Sequence, residues 1–181
     1  MNKKIYLFKK YYFKLLGKNE KLMSLNIRYY RSVGVKIGEN MRAFSPLLTA
    51  EPYLLEFGNN ITISSNVTFI THDNSVTKIV DNATDVFGRI KVGKNCFIGH
   101  GSIILPGVTL GDNVIVGSGS VVTKSFPLGD VVIGGNPAKV ICTTKDYFQK
   151  INPHALNTIG MSNSEKKNYI LNLPSQKFVV K

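Results

Sequence analysis

The chain has 181 residues, 43% of them hydrophobic, a net charge of +12 and two cysteines. This is a globular composition, sized for one domain with appendages. No apolar run approaches the roughly eighteen residues of a membrane span, Cys96 and Cys142 make no disulfide framework, and lysines interrupt any secretory h-region, so the cytoplasm is the expected compartment.

Residues 1–32 form a basic helical segment. Residues 1–31 hold nine Lys or Arg against Glu20 alone, which is two-thirds of the net charge. Ile5, Phe8, Tyr12, Leu15 and Leu16 recur at helical spacing with lysines between them. Gly17-Lys18-Asn19 divides the segment into two helices. Two readings stand. The helices cap the open end of a repeat domain, because terminal repeats need covering, or they rest peripherally on an anionic membrane surface. No nucleic-acid partner is expected, since nothing else in the chain has the form of a nucleic-acid module.

Near Val35 the helical period gives way to a period of six, which runs on through residues 33–145. It is clearest at Val92, Ile98, Ile104, Leu110, Val116 and Val122, all aliphatic. Small or modest side chains follow four positions after the first five: Cys96, Ser102, Val108, Val114 and Ser120. A helix repeats near 3.6 and a strand at 2; a period of six is the hexapeptide signature of a β-helix. Each hexad supplies a short strand and a turn, and three make one triangular coil. First and fifth positions point inward, and second-position glycines suit turns that need positive φ. The expected fold is all-β, a left-handed parallel β-helix of about five coils.

The period breaks twice before Val92. Thr49 to Tyr53 is out of phase by two residues, which marks Glu51 as part of an insertion. After Phe69 the next aliphatic is missing, and Asp73 to Arg89 is an excursion with His72 at its root. Long loops inside compact repeats are usually functional. After Val122 the period predicts Leu128, Gly134 and Val140 as further inward positions, with Lys139-Val-Ile closing the last coil. Residues 146–181 form a helical tail, with short helices over Lys145–Lys150 and Ser164–Leu171, Ser164 serving as N-cap.

Three runs carry a resemblance. They are Ile98-Gly-His-Gly-Ser-Ile-Ile-Leu-Pro-Gly-Val-Thr-Leu-Gly-Asp-Asn113, Gly117-Ser-Gly-Ser-Val-Val-Thr-Lys124 and Gly135-Asn-Pro-Ala-Lys-Val-Ile141. Together they resemble the left-handed β-helix acyltransferases, and among these the maltose and galactoside O-acetyltransferases and the enzymes that acetylate capsule or lipopolysaccharide. Glu51-Pro-Tyr-Leu, Ile63-Ser and Phe69-Ile-Thr-His-Asp73 are similar to the polysaccharide-modifying branch. The resemblance implies acetyl-CoA as co-substrate, a saccharide acceptor, direct attack without an acyl-enzyme, and a homotrimer with sites between subunits.

Acetyl transfer to a hydroxyl needs a base, and histidine titrates in the working range. His72 is the candidate catalytic residue. Asp73 and Glu51 are candidates either to orient His72 or to bind the acceptor. A backbone N–H around Gly99 to Gly101 is the expected oxyanion donor. The candidate donor-binding residues are Gly99, His100, Gly117, Ser118, Gly119, Thr123, Lys124 and Lys139, with the glycines admitting the pantetheine arm and the lysines meeting phosphates. No metal is expected, because a zinc site needs three ligands and only His72 and His100 lie in the repeat. An amine acceptor on a nucleotide-linked sugar, an antibiotic hydroxyl and a non-catalytic scaffold are the alternatives.

Overall fold

The computed structural model describes residues 1–180. Met1–Thr144 forms one compact unit and the chain from Lys145 onward a second. The first unit opens with two helices, α1 (Lys3–Leu15) and α2 (Asn19–Ser32), separated where Gly17 adopts a left-handed φ of 62°. Fifteen short strands follow. They are β1 (Lys36–Ile37), β2 (Arg42–Ala43), β3 (Leu55–Phe57), β4 (Thr62–Ile63), β5 (Thr68–Phe69), β6 (His72–Asp73), β7 (Val86–Phe87) and β8 (Ile90–Val92). Then come β9 (Phe97–Ile98), β10 (Ile103–Ile104), β11 (Thr109–Leu110), β12 (Ile115–Val116), β13 (Val121–Val122), β14 (Val131–Gly135) and β15 (Ala138–Thr143).

Successive hexads go to different sheets. One face stacks β1-β3-β8-β11, a second β2-β4-β9-β12-β14, and a third β5-β10-β13, all parallel. Lys91 pairs with Thr109, Phe97 with Ile115 and Ile103 with Val121, so one turn of the prism consumes three hexads. The inward positions behave as the period requires. Ile98, Ile104, Val116 and Val122 have no exposed surface, and Cys96, Ser102, Val108, Val114 and Ser120 are buried beside them. Each buried aliphatic contributes about 1.5–3 kcal/mol. Burial pushes the Cys96 thiol up to about 11, as befits a core residue.

The glycines play a different part from the one their position suggests. Gly93, Gly99, Gly111 and Gly117 do not have positive φ. The left-handed residues are two positions later in each hexad: Asn95, Gly101, Gly107, Asn113 and Gly119, preceded by Asn40, Asn60 and Asn66. Asparagine tolerates this conformation because its short amide bonds locally. Asn60 Nδ2 donates to Asn95 Oδ1 (2.7 Å), Asn95 Nδ2 to Asn113 Oδ1 (2.8 Å) and Asn113 Nδ2 to Asp130 Oδ1 (2.9 Å), a ladder down one edge. The second-position glycines are required by close stacking instead. A Cβ on Gly99 would lie 2.6 Å from Ser118 N and Val116 O.

The period also ends earlier than expected. The turn after Val122 is two residues short, and Phe126 rather than Leu128 bridges to Leu110. Leu128 is 95% exposed, Val140 is exposed, and Ile133 takes the core position. The segment from Lys139 does not close a parallel coil: β15 runs antiparallel to β14 after a cis Asn136–Pro137 turn. It thereby covers the free edge of that face.

α2 packs on the first strands through Leu25, Ile27 and Tyr30. α1 is held to α2 by Tyr6, whose ring stacks on Tyr29 at 3.8 Å and whose hydroxyl donates to Asn26 Oδ1. The stripe Ile5, Phe8, Tyr12, Leu15 and Leu16, expected to pack inward if it capped the repeat, is exposed; Tyr6 and Phe13 pack inward instead.

The second unit holds α3 (Thr144–Ile151, entered from the last residue of the first unit) and α4 (Asn163–Leu171). Ser162, not Ser164, caps α4. Glu165 stands three residues on and its carboxylate accepts a hydrogen bond from Ser162 N–H, completing a capping box that Ser164, with Lys167 in that place, cannot make.

Candidate functional site

The two breaks in the period meet. The first insertion forms a short turn of helix over Pro52–Leu54, with Glu51 just before it. The second is an antiparallel arm in which β6 pairs with β7, His72 opposite Phe87 and Asp73 opposite Val86. Its base is closed by Gly88 N–H donating to Thr71 O. This places His72 on the edge between the third and first faces. There its Nδ1–H donates to Glu51 Oε2 at 2.8 Å. Thr71, buried, donates its hydroxyl to the same carboxylate oxygen at 2.7 Å.

The side chain of Glu51 is 14% exposed and that of His72 38%. The carboxylate is thus mostly covered while the imidazole keeps an open side. With Nδ1–H committed to Glu51, Nε2 is the bare nitrogen and the free acceptor. The hydrogen bond to Glu51 raises the His72 pKa above its ordinary value, against desolvation, and Asp85 and Asp73 add to the rise. The same bond, with that from Thr71, lowers the pKa of Glu51.

Asp73 and Glu51 therefore separate. Neighbours on a strand point to opposite sides, and Asp73 Oδ1 accepts from Ser75 N at 2.8 Å, fixing the first turn of the arm. Thr71 and Asp85 were not singled out from the sequence. Thr71 sits at a position that carries no periodic signal, and Asp85 lies in the irregular arm.

The remaining candidates lie on two edges. Gly99, His100, Gly117, Ser118 and Gly119 line the edge between the second and third faces. There Gly119 N donates to His100 O (2.7 Å) and Ser65 Oγ meets His100 Nδ1 (2.8 Å). Thr123 and Lys124 lie on the His72 edge, where the Lys124 ammonium sits 5.8 Å above the Phe126 ring. Lys139 is exposed on β15. Of the backbone N–H groups in this stretch, Gly99 N–H donates to Val116 O and Gly101 N–H to Ser65 O, both as part of the stack. Among the described residues no cluster of three metal-ligating side chains occurs, and no helix is long and apolar enough to cross a membrane.

A three-faced parallel β-helix of hexapeptides is the body of a class of transferases. Residues 89–124 match the family described as bacterial transferase hexapeptide (six repeats). The chain is 44% identical over 169 residues to Protein CapG of Staphylococcus aureus, covering 91% of this chain and 95% of that one. The maltose O-acetyltransferase from Clostridium difficile 630 is 26% identical, with a TM-score of 0.51 over 77% of this chain and 88% of that one. Galactoside acetyltransferase in complex with coenzyme A is 28% identical, with a TM-score of 0.54 over 72% and 73%. The chain belongs to the hexapeptide-repeat acyltransferases, whose body is the left-handed parallel β-helix.

Proposed function

We propose that this chain moves an acetyl group from acetyl-CoA to a hydroxyl of a saccharide, in a capsule or lipopolysaccharide precursor. The observation that carries the reading is the Glu51–His72 hydrogen bond at 2.8 Å, beside an arm that leaves the other imidazole face open. The resemblance to a maltose and a galactoside acetyltransferase, the latter bound to coenzyme A, supports both donor and acceptor class. His72 Nε2 takes the proton of the acceptor hydroxyl as its oxygen attacks the thioester carbonyl carbon. Glu51 holds the tautomer and stabilises the imidazolium. The carbon–sulfur bond then breaks, and the proton passes from His72 to the departing thiolate. Asp73 positions the arm that borders the acceptor.

The Gly99–Gly101 and Gly117–Gly119 edge, with His100 and Ser118, supports the donor arm, and Thr123, Lys124 and Lys139 meet its polar end. The glycine edge and the His72 edge, which also carries Thr123 and Lys124, are different edges of one prism. A homotrimer joins unlike edges of neighbouring subunits, which is why we place the site between subunits. Thiol release from acetyl-CoA with candidate saccharides tests the reading. Acceptor-dependent release that His72→Ala abolishes supports it; full turnover by His72→Ala overturns it.

A further inference from the structure

Among the described residues nothing packs over the outward half of α1. Tyr6 and Phe13 face α2, and the opposite side of the helix carries Leu7, Phe8, Tyr11, Tyr12 and Leu15. Phe8 and Tyr11 are each 76% exposed and Leu15 is 78% exposed. Burying such side chains would be favourable. Large exposed apolar patches on a folded protein mark interaction sites.

The charges around this face identify its partner. At 100° per residue, Lys3, Lys10 and Lys14 fall along one margin of the apolar face and Lys9 along the other, while Lys4 lies within the face at its N-terminal end, where its stem can carry the ammonium out to the headgroups. No acidic residue precedes Glu20. A two-fold contact with a second copy of the chain would bring these lysines against their equivalents, and lysine is depleted from interfaces between proteins of any symmetry. An anionic lipid surface reverses the balance. The aromatic rings enter the headgroup boundary, and the lysine stems extend to the phosphates.

We propose that α1 is an interfacial helix that docks the enzyme on an anionic phospholipid bilayer, lying in its plane with Phe8, Tyr11 and Leu15 inserted. The docking needs no residue of the His72 site, so its failure would leave the acyl-transfer reading untouched. The arrangement suits an enzyme whose acceptor is carried on a lipid.

The test uses the full-length chain with phosphatidylglycerol-containing and pure phosphatidylcholine vesicles. The chain contains no tryptophan, so Tyr11→Trp supplies a single reporter. Sedimentation with the anionic vesicles alone, a blue shift of that tryptophan and loss of binding at high salt are expected. Phe8→Ser with Leu15→Ser, at exposed positions that leave the packing on α2 intact, weakens binding by more than tenfold. Lys3→Gln, Lys10→Gln and Lys14→Gln together weaken it on the order of 100-fold, at about fivefold for each lysine. Absence of sedimentation with anionic vesicles at low salt overturns the proposal. So does undiminished binding by the Phe8/Leu15 variant, or a fall in oligomeric mass for that variant without any change in vesicle binding.

Discussion

Glu51 Oε2 and His72 Nδ1 stand 2.8 Å apart although twenty-one residues separate them in the chain. Each belongs to a departure from the hexapeptide period, and the two departures meet at one edge. The single regular coil between them, β3, β4 and β5, acts as a spacer that sets both ends.

The pair predicts large losses of turnover at both members. His72→Ala lowers kcat by about 10²–10⁴-fold, the contribution of a positioned base. Glu51→Gln lowers it by roughly 100-fold or more, because the amide cannot stabilise the imidazolium and can present an N–H that holds the wrong tautomer. Steady-state kinetics checks both, and an unchanged KM for acetyl-CoA separates the chemistry from a collapsed site.

Turnover and stability respond to pH in opposite senses. With His72 as the proposed base, turnover requires its neutral form, and its pKa is raised above 6.5 by its bond to Glu51. The acid limb of kcat/KM therefore has its midpoint above 6.5 and moves back toward it in Glu51→Gln. For folding, the raised histidine pKa contributes stability fully present below its unfolded value and lost as pH rises through its folded value. The lowered Glu51 pKa contributes stability present above 4.5 and lost as pH falls through the depressed value. The pair thus supports the fold most in the weakly acidic window between them. Unfolding curves across pH, with and without Glu51→Gln, measure it.

Two glycines in one hexad should differ. Gly99→Ala puts a Cβ 2.6 Å from the backbone of the next turn, and overpacking of this kind costs about 1–3 kcal/mol or more. Gly101→Asn, at φ 69° with no atom within 4 Å of the added Cβ, is close to neutral because asparagine accepts the left-handed region. Denaturant midpoints of the two variants give the comparison.

The asparagine ladder separates conformation from hydrogen bonding. Asn95→Gly keeps the left-handed turn but removes the bonds to Asn60 and Asn113, a loss of roughly 0.5–1.5 kcal/mol each. Asn95→Ala adds the strain of a Cβ at φ 55°, about 1–2 kcal/mol more. Urea unfolding of both variants reads the difference, and Asn95→Ala is expected to be the weaker fold.

Much of the body was legible in the residues alone. Val92 to Val122 repeats an inward aliphatic every sixth place, and only a three-sided coil buries such a pattern on one side. The same reading failed where the turn length changed. Leu128 and Val140 kept the numerical phase but lost the core, because two missing residues after Val122 brought Phe126 onto the face instead. Second-position glycines were visible, but not whether φ or stacking demanded them.

The sequence by itself determined the prism, its hexad core and the two interruptions, because burial of a periodic side chain is a local rule repeated along the chain. Only the tertiary structure decided which carboxylate serves His72 and which side of α1 is left open. Asp73 was nearer in sequence, but strand alternation turned it away and a remote insertion supplied Glu51. The apolar stripe of α1 fits an inward or an outward face equally by its period, and Tyr6 stacking on Tyr29 turned it outward. Both outcomes depend on residues far apart in the chain, whose meeting no local period encodes.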